Sequence, residues 1–429
     1  MIRFIFADLR RLWAGSLVIV LLIGLATALG IAVGIQERAL RLGSARAADR
    51  FDLVVGAAGA ETQLVLSSVF LQAAPLTLLP GDVLRRLAED PRVEWAAPVG
   101  FGDSFNGLPI VGTTAEFLTD KGRRPLAEGE NFRAPTDAVI GALVDLAQGD
   151  TVKPIHGLPG EAGHTHDELA YTVVGRLAPT GTPWDRAILV PIETVWSIHG
   201  LGGAEDHDHD HAEGAHDHDH DHSHDHDHDH DHDGEQDHAA ADHLGPPWRE
   251  GVPGVPAIIV KPKSIANAYQ LRQEYRTDTT LGVFPAEVLT RLYATLGDAR
   301  LVLTAIAIGT QALVGAAVVL VSVVHLAQRR RQIGALRALG APRAAIFGVV
   351  WVELLLLIGL GVLLGIGLGF VGAKVAAAFF TRGSGIVLPV SVEGADLAFA
   401  GLLMLVAAVI ALVPAWLAYR QPAAAALRA

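Results

Sequence analysis

Four long apolar segments constrain the fold of this chain more than any other feature. They cover residues 12–35, 301–326, 345–373 and 397–418. A helix needs roughly 20 mostly apolar residues to cross the hydrocarbon core of a bilayer. We therefore predict an integral membrane α-helical protein, with four transmembrane helices in a 1+3 arrangement around the long polar region 36–300.

The first apolar segment could also be a cleaved signal peptide, because Arg3, Arg10 and Arg11 precede it. The apolar part of a signal peptide is about 7–15 residues long. Residues 12–35 form a longer segment, and they carry no charge. An uncleaved transmembrane helix behind the N-terminal tail 1–11 is therefore the preferred interpretation.

Basic residues in the short loops predict the orientation. The loop 327–344 contains five arginines, and the tails 1–11 and 419–429 are also basic. Short loops rich in Lys and Arg stay in the cytoplasm, whereas long domains translocate largely regardless of their charge. We expect both termini and the loop 327–344 to be cytoplasmic, and the regions 36–300 and 374–396 to be extracytoplasmic.

Glycines recur at four-residue intervals in two of the predicted spans. They are Gly361, Gly365 and Gly369 in the third span, and Gly30 and Gly34 in the first. Close backbone approach through small residues drives the association of helices in lipid. We therefore predict a packing face on these glycines, although the pattern does not name the partner helix.

The polar region 36–300 has the pattern of a large α+β domain. Alternating or β-branched runs predict strands at 51–55, 108–112, 171–174, 187–191 and 256–261. Helical patterns cover 81–88 with Asp82 as its cap, 264–275 behind Ser264, and the amphipathic run 286–299. The last of these leads directly toward the second span and would connect the domain mechanically to the membrane.

A tract of nearly alternating histidine and aspartate interrupts this domain at 204–243. It holds 14 of the 19 histidines and 16 of the 46 acidic residues, but no Lys or Arg. Such a segment cannot bury an apolar core, so we expect a disordered insertion. The tract also accounts for the net charge of −13, because the rest of the chain is slightly basic.

Imidazole and carboxylate groups are ligands for divalent metal ions such as zinc, so the tract predicts flexible and interchangeable metal sites. A solvated linker is the alternative. The candidate ligands are His207, His209, His211, His216, His218, His220, His222, His224, His226, His228, His230 and His232. With no cysteine in the chain, disulfides and thiolate sites are excluded, and we expect no intrinsic cofactor.

A second, smaller group of histidines lies outside the repeat. It consists of His156, His164, His166 and His199. The spacing of two residues between His164 and His166 could seed a structured metal site. Ordinary loop histidines are an equally good interpretation of the same pattern.

A short helix is predicted in the cytoplasmic loop. Ile333, Leu336 and Leu339 recur every third residue, and Gly340 and Pro342 end the pattern. An apolar helix edge surrounded by arginines fits a groove on a cytoplasmic partner. A basic anchor that touches only lipid headgroups fits the same loop equally well on physical grounds.

Residues 330–341, Arg-Arg-Gln-Ile-Gly-Ala-Leu-Arg-Ala-Leu-Gly-Ala, resemble the loop signature of FtsX-like permeases. This ABC-transporter family includes MacB-type and lipoprotein-releasing permeases. Glu353 in the next span and the C-terminal segment 414–422 resemble the same family pattern, and segments 51–56 and 109–114 look like its MacB-type core domain. Gln332 stands where Glu is common in the family, which removes a possible ionic contact.

The resemblance implies a multi-pass permease subunit in the bacterial inner membrane, as a dimer that binds two ATP-binding subunits. The residues implied in that contact are Arg331, Ile333, Leu336, Arg337 and Leu339. No motif G-x-x-x-x-G-K followed by Ser or Thr occurs in the sequence, so ATP is expected only on the partner, and the chain itself is expected to be non-catalytic. A periplasmic or lipoprotein partner fits this function, whereas a nucleic acid does not.

In that family, ATP-driven closing of the cytoplasmic subunits is thought to move the outer domain, which would serve export, extraction or envelope metal homeostasis.

A metal-ion carrier is one competing function, but its pathway needs ionisable residues at membrane depth. The predicted spans offer only Glu353 and, at one edge, His325. A metal-binding membrane regulator is the other competitor, and the sequence does not identify any cargo.

Reporter fusions at Gly203 and Ala429 test the predicted topology. We expect the Gly203 fusion to be active only with an extracytoplasmic reporter and the Ala429 fusion only with a cytoplasmic one, because the arginine-rich loop 327–344 stays inside. A cytoplasmic Gly203 would refute both the topology and the permease interpretation.

Overall fold

The computed structural model describes residues 10, 13–72, 74–157, 169–201, 244–295 and 340–420, together with scattered positions from 305 to 323. The chain divides into two compact units. One, called the sheet unit below, comprises Phe51–Thr180 and Trp184–Pro285. The other, called the helical unit, comprises Met1–Arg50, Gly181–Pro183 and Ala286–Ala429.

The sheet unit is built on one mixed β-sheet. Its described strands are β1 (Leu53–Ala57), β2 (Val93–Phe105), β3 (Leu108–Thr113), β4 (Glu128–Gly129), β5 (Asp137–Ile140), β6 (Thr151–Val152), β7 (Ile155–His156), β8 (Tyr171–Arg176), β9 (Ile188–Pro191), β10 (Ala257–Pro262) and β11 (Thr280–Val283). The strand order is β11-β1-β10-β2-β3-β9-β5-β8-β4, with β6 beside β8 and β7 beside β2. The pairs β3–β9 and β5–β8 are parallel, and the other pairs are antiparallel.

Helices of very different length belong to the two units. The described helices are α1 (Trp13–Ala48), α2 (Glu61–Ser68), α3 (Gly81–Glu89), α4 (Ala115–Thr119), α5 (Ile192–Ile198), α6 (Ile265–Glu274), α7 (Pro285–Thr295), α8 (Arg343–Ser384), α9 (Gly394–Ile410) and α10 (Leu412–Arg420). The short helices α2–α6 pack on the sheet. The long helices α1 and α8 belong to the helical unit.

The core of the sheet unit lies between the strands and the short helices. Leu53, Ile188 and Ile258 from three strands are fully buried, as are Leu84 and Leu87 on one face of α3. Each fully buried side chain of this kind stabilises the fold by about 1.5–3 kcal/mol relative to an exposed one. The sheet is therefore a rigid support for the loops and strand ends at its edges.

Most of the predicted elements of this unit are confirmed. The five predicted strand runs overlap β1, β3, β8, β9 and β10, with boundaries that differ by at most two residues. The predicted helix 264–275 is α6, and Ser264 Oγ accepts a hydrogen bond from the Asn267 N–H at 3.2 Å. The prediction that Asp82 caps the helix 81–88 is wrong, because Pro80 occupies the cap position of α3. Asp82 lies in the first turn instead, where its charge still complements the helix dipole.

Three helices of the described chain are long and apolar enough to cross a membrane. They are Trp13–Ala48, Arg343–Ser384 and Gly394–Leu417. They coincide with the first, third and fourth predicted spans to within one residue at 12 and at 418, but α1 and α8 continue well beyond the predicted ends at residues 35 and 373. The second predicted span, 301–326, lies mostly outside the described residues, so the four-span arrangement stays a prediction.

The predicted glycine packing face of the third span is confirmed, and its partner is α1. A Cβ atom added at Gly365 would lie 2.5 Å from Thr27 Cβ and 2.7 Å from the Gly24 carbonyl oxygen. The same atom at Gly361 would lie 2.8 Å from Ile23 Cβ. Side chains do not tolerate such distances, so the two helix backbones touch along a face where only glycine fits.

Replacing Gly365 with Ala should destabilise the helical unit, whereas Gly367→Ala should not. Both changes raise helix propensity equally, by about 1 kcal/mol, but no atom of the described residues lies within 4 Å of a Cβ at Gly367. Overpacking at Gly365 should cost about 1–3 kcal/mol. The measurement is thermal unfolding of the two purified variants in the same detergent. Equal Tm values would contradict the α1–α8 contact.

Candidate functional site

Most of the site residues predicted from the sequence lie outside the described residues. They are the coupling positions Arg331, Ile333, Leu336, Arg337 and Leu339, the tract 204–243, and the pair His164 and His166. His156 and His199 are described. The structure brings these two histidines together with Asp103, a side chain that the sequence analysis did not single out.

Strand pairing positions two members of this cluster. Asp103 lies in β2, and its cross-strand partner on the antiparallel strand β7 is His156. The contact continues beyond β7, because the Gly157 N–H donates a hydrogen bond to the Gly102 carbonyl at 2.9 Å. Asp103 is also paired with Ile110 on β3, so strands on both sides hold its backbone.

His199 reaches the cluster from the end of α5. This helix packs closely on β2 and β3, because a Cβ at Gly100 would lie 2.5 Å from Ile192 Cδ1 and one at Gly112 would lie 2.7 Å from Val195 Cγ2. His199 follows the last helical residue, and its N–H donates a hydrogen bond to the Val195 carbonyl at 3.2 Å. The strand glycines therefore set the distance between His199 and the sheet.

Gly102 leaves the space that the His199 imidazole occupies. A Cβ atom at position 102 would lie 2.6 Å from His199 Nε2 and 2.9 Å from its Cε1. Any side chain at this position would displace the ring. The glycine next to Asp103 is therefore part of the site, since it lets the imidazole approach the carboxylate.

The three polar groups surround one small volume. His156 Nδ1 lies 3.4 Å from Asp103 Oδ1, and His199 Nε2 lies 3.6 Å from Asp103 Oδ2. The two imidazole rings are 5.2 Å apart between centroids and inclined by 54°. The side chains of Asp103, His199 and His156 are 1%, 19% and 55% exposed, respectively. The cluster thus has a buried carboxylate at its base and one imidazole open to solvent.

Asp103 determines the electrostatics of the cluster. Its interaction with the His199 ring favours the imidazolium form and raises the pKa of His199, although burial of the ring opposes this shift. Burial also raises the pKa of the Tyr171 phenol, and the Asp103 charge adds to that effect. A cation that binds His199 therefore competes with protonation of the ring, which the Asp103 carboxylate favours.

No sequence pattern marks Asp103 as a site residue. It lies in β2, which the sequence analysis did not predict, and it contacts His156 only because the two-residue strand β7 pairs with β2. A strand that short has no recognisable alternation. The histidines themselves were recognised because they stand outside the repeat.

A second polar constellation lies within the helical unit. Arg38 on α1 donates a hydrogen bond to Asp396 on α9, with Nη2 2.6 Å from Oδ2, and its Nε lies 3.6 Å from Glu393 Oε2. The Arg38 and Asp396 side chains are 16% and 5% exposed. Ser44 farther along α1 is 2.6 Å from the hydroxyl oxygen of Tyr293 on α7. The end of α1 that follows the predicted span is therefore joined to both α7 and α9.

An apolar cavity of about 560 Å³ lies among the helices of this unit. Ile23 of α1, Leu354 of α8 and Phe399 of α9 contribute to its wall, together with described positions of the second predicted span such as Ile308 and Val319. None of the described residues that line it is ionisable. This lining does not resemble an ion pathway, which would need charged or polar ligands.

Long apolar helices and a separate α+β unit define the class as an integral membrane protein with a large polar domain. Residues 304–423 match the family model of the FtsX-like permease C-terminal domain. This part of the chain is thus similar to the C-terminal domain of FtsX-like permeases, which confirms the resemblance predicted from the loop signature.

Two solved structures are similar to this chain, each at 8% identity. The periplasmic region of MacB from Actinobacillus actinomycetemcomitans has a TM-score of 0.31 over 57% of this chain and 95% of that one. The extracellular domain of the noncanonic ABC-type transporter YknZ from Gram-positive bacteria has a TM-score of 0.27 over 54% of this chain and 98% of that one. No curated protein matches the chain.

Proposed function

We propose that the chain is the permease subunit of an ABC-type complex and works with a separate ATP-binding subunit. The match of residues 304–423 to the FtsX-like permease C-terminal domain is the observation that carries this proposal. The basic loop 327–344 lies inside the matched region. We assign the partner contact to its apolar edge, Ile333, Leu336 and Leu339, flanked by Arg331 and Arg337.

The contacts of α1 support a mechanical role. Its close packing on α8 joins it to the domain that matches the permease family, and Arg38 and Ser44 join its far end to α9 and α7. Along the chain, α1 ends at Ala48 shortly before β1 begins, and α7 begins just after β11. A displacement of the membrane helices would therefore reach the sheet unit through two direct chain connections.

The proposed complex contains two permease protomers and two ATP-binding subunits in the bacterial inner membrane, with the permease termini in the cytoplasm. Movement of the extracytoplasmic sheet unit would serve export, extraction or envelope metal homeostasis. A periplasmic or lipoprotein partner would receive or deliver the cargo. The tract 204–243 adds weak, exchangeable binding of divalent ions, because its imidazole and carboxylate groups are dense.

The metal-ion carrier is the weaker alternative. Dehydrating a divalent ion inside a bilayer requires replacement ligands at membrane depth. Apart from Thr27, the described side chains that line the cavity in the helical unit are apolar, and none of them is ionisable. A regulator without transport differs from the proposed permease in one observable, because it would not couple to ATP turnover by the partner.

Changing Leu336 to Asp should abolish co-purification with the ATP-binding subunit. A carboxylate at the centre of an apolar contact should cost about 2–4 kcal/mol, which is enough to lower the affinity by about 30-fold to 1,000-fold. The matched control is Ala338→Asp, because helical spacing places residue 338 opposite the edge formed by Ile333, Leu336 and Leu339.

Both variants should insert into the membrane and unfold at the wild-type temperature, since the changes lie in a short loop. The measurement is pull-down of the ATPase together with its stimulated rate of ATP hydrolysis. Unchanged association and stimulation in Leu336→Asp would refute the assigned contact. Equal loss in both variants would show that the loop acts through its charge and not through an apolar edge.

A further inference from the structure

We propose that Asp103, His156 and His199 form an ordered binding site for one divalent transition-metal ion of the zinc class. Two imidazole nitrogens and one carboxylate oxygen can be chosen that all lie within 4.8 Å of one another. The site is separate from the repeat 204–243 and does not depend on the ATP-binding partner. The proposed metal site is thus an addition to the proposed permease function, and each of the two proposals can be tested without the other.

The distances from the two imidazoles to the two oxygens of the Asp103 carboxylate are close to those between metal ligands. Bonds from zinc to nitrogen or oxygen are about 2.0–2.2 Å, so two ligand atoms of a tetrahedral site lie about 3.3 Å apart. The two nitrogen–oxygen distances of 3.4 and 3.6 Å are close to that value. They exceed the distance of about 2.7–2.9 Å of a charge-assisted N–H···O bond. The distances therefore fit ligands around a common ion.

The ligands are positioned before any ion arrives. Asp103 and His156 face each other across paired strands, and the close packing of α5 on the sheet places His199 over Gly102. A site on rigid elements loses little conformational entropy when it binds its ion. The repeat 204–243 offers more ligands, but its sequence predicts a chain that must be ordered at each binding event.

The burial of the three side chains indicates an open coordination position. The carboxylate is buried and the imidazole of His156 is more than half exposed, so an ion could enter from the His156 side. Three protein ligands leave a fourth position for water or for an exchangeable ligand. Two imidazoles exclude magnesium and calcium, which prefer oxygen ligands only.

The placement of the ligands in the sequence connects this site with the other histidines. His156 precedes the segment that contains His164 and His166, and His199 precedes the repeat 204–243. An ion that the repeat holds weakly would therefore be close, along the chain, to an ordered site. The experiment must for this reason separate binding by the repeat from binding by the cluster.

Thermal unfolding of the purified full-length protein, measured with and without zinc chloride, distinguishes zinc binding by the cluster from zinc binding by the repeat. An ion that binds only the folded state stabilises it by mass action, so zinc at about 100 times its Kd should raise Tm by about 5–10 °C. Replacing residues 204–243 with a short Gly/Ser linker should preserve the rise. His156→Ala should abolish it, and so should Asp103→Asn. His156 is exposed, so its variant should fold normally without zinc.

The double change His164→Ala with His166→Ala is the matched control and should leave the rise intact. Zinc titration of the linker variant should then give one tight ion per chain, and none after His199→Ala. A rise that disappears with the repeat, or survives His156→Ala and His199→Ala together, would overturn the proposal. So would the absence of any rise in the wild-type protein, which would make Asp103 a hydrogen-bonding bridge between two imidazoles.

Discussion

The backbone contact between α1 and α8 is the constraint on which the helical unit depends. Apolar side chains gain little by leaving lipid for another apolar surface, so helices in a membrane associate through close packing and hydrogen bonds. Gly361, Gly365 and Gly369 supply that packing by letting the α8 backbone approach α1, where the nearest atoms belong to Ile23, Thr27 and Ala28, respectively. The first described helix, α1, is thereby attached to α8, which lies within the residues 304–423 that match the permease family.

The polar contacts of α1 build on this packing. Arg38 and Asp396 form a nearly buried pair, and Asp396 also accepts a hydrogen bond from the Glu393 N–H at the start of α9. Removing one member of a buried pair commonly costs about 3–5 kcal/mol, because the remaining charge is left uncompensated. The pair therefore holds α9 in one register relative to α1. Packing of apolar side chains alone would not specify that register.

Sequence patterns predicted those features that depend on local periodicity. Apolar length identified the long helices, the four-residue repeat identified the face of α8, and Ser264 identified the start of α6. The failures have physical reasons. Asp82 has the chemistry of a cap, but Pro80 sets the start of α3, and the contact of Asp103 with His156 exists only through the pairing of distant strands.

The α1–α8 contact can be tested directly, because the chain has no cysteine of its own. A Cβ at Gly369 would lie 3.1 Å from Ile31 Cβ, which is too close for two unlinked side chains. A shift of the helices by less than about 1 Å brings two cysteines at these positions to the separation of about 3.5–4.5 Å found in disulfides. The double variant Ile31→Cys with Gly369→Cys also carries a protease site in the tract 204–243. After oxidation in native membranes and cleavage at that site, the measurement is whether the two fragments remain covalently linked.

The two fragments should stay linked without reductant, whereas Leu25→Cys with Gly369→Cys should not link them, because Leu25 is an exposed residue of α1. Separation of the fragments in the first pair, or equal linkage in both, would contradict the account.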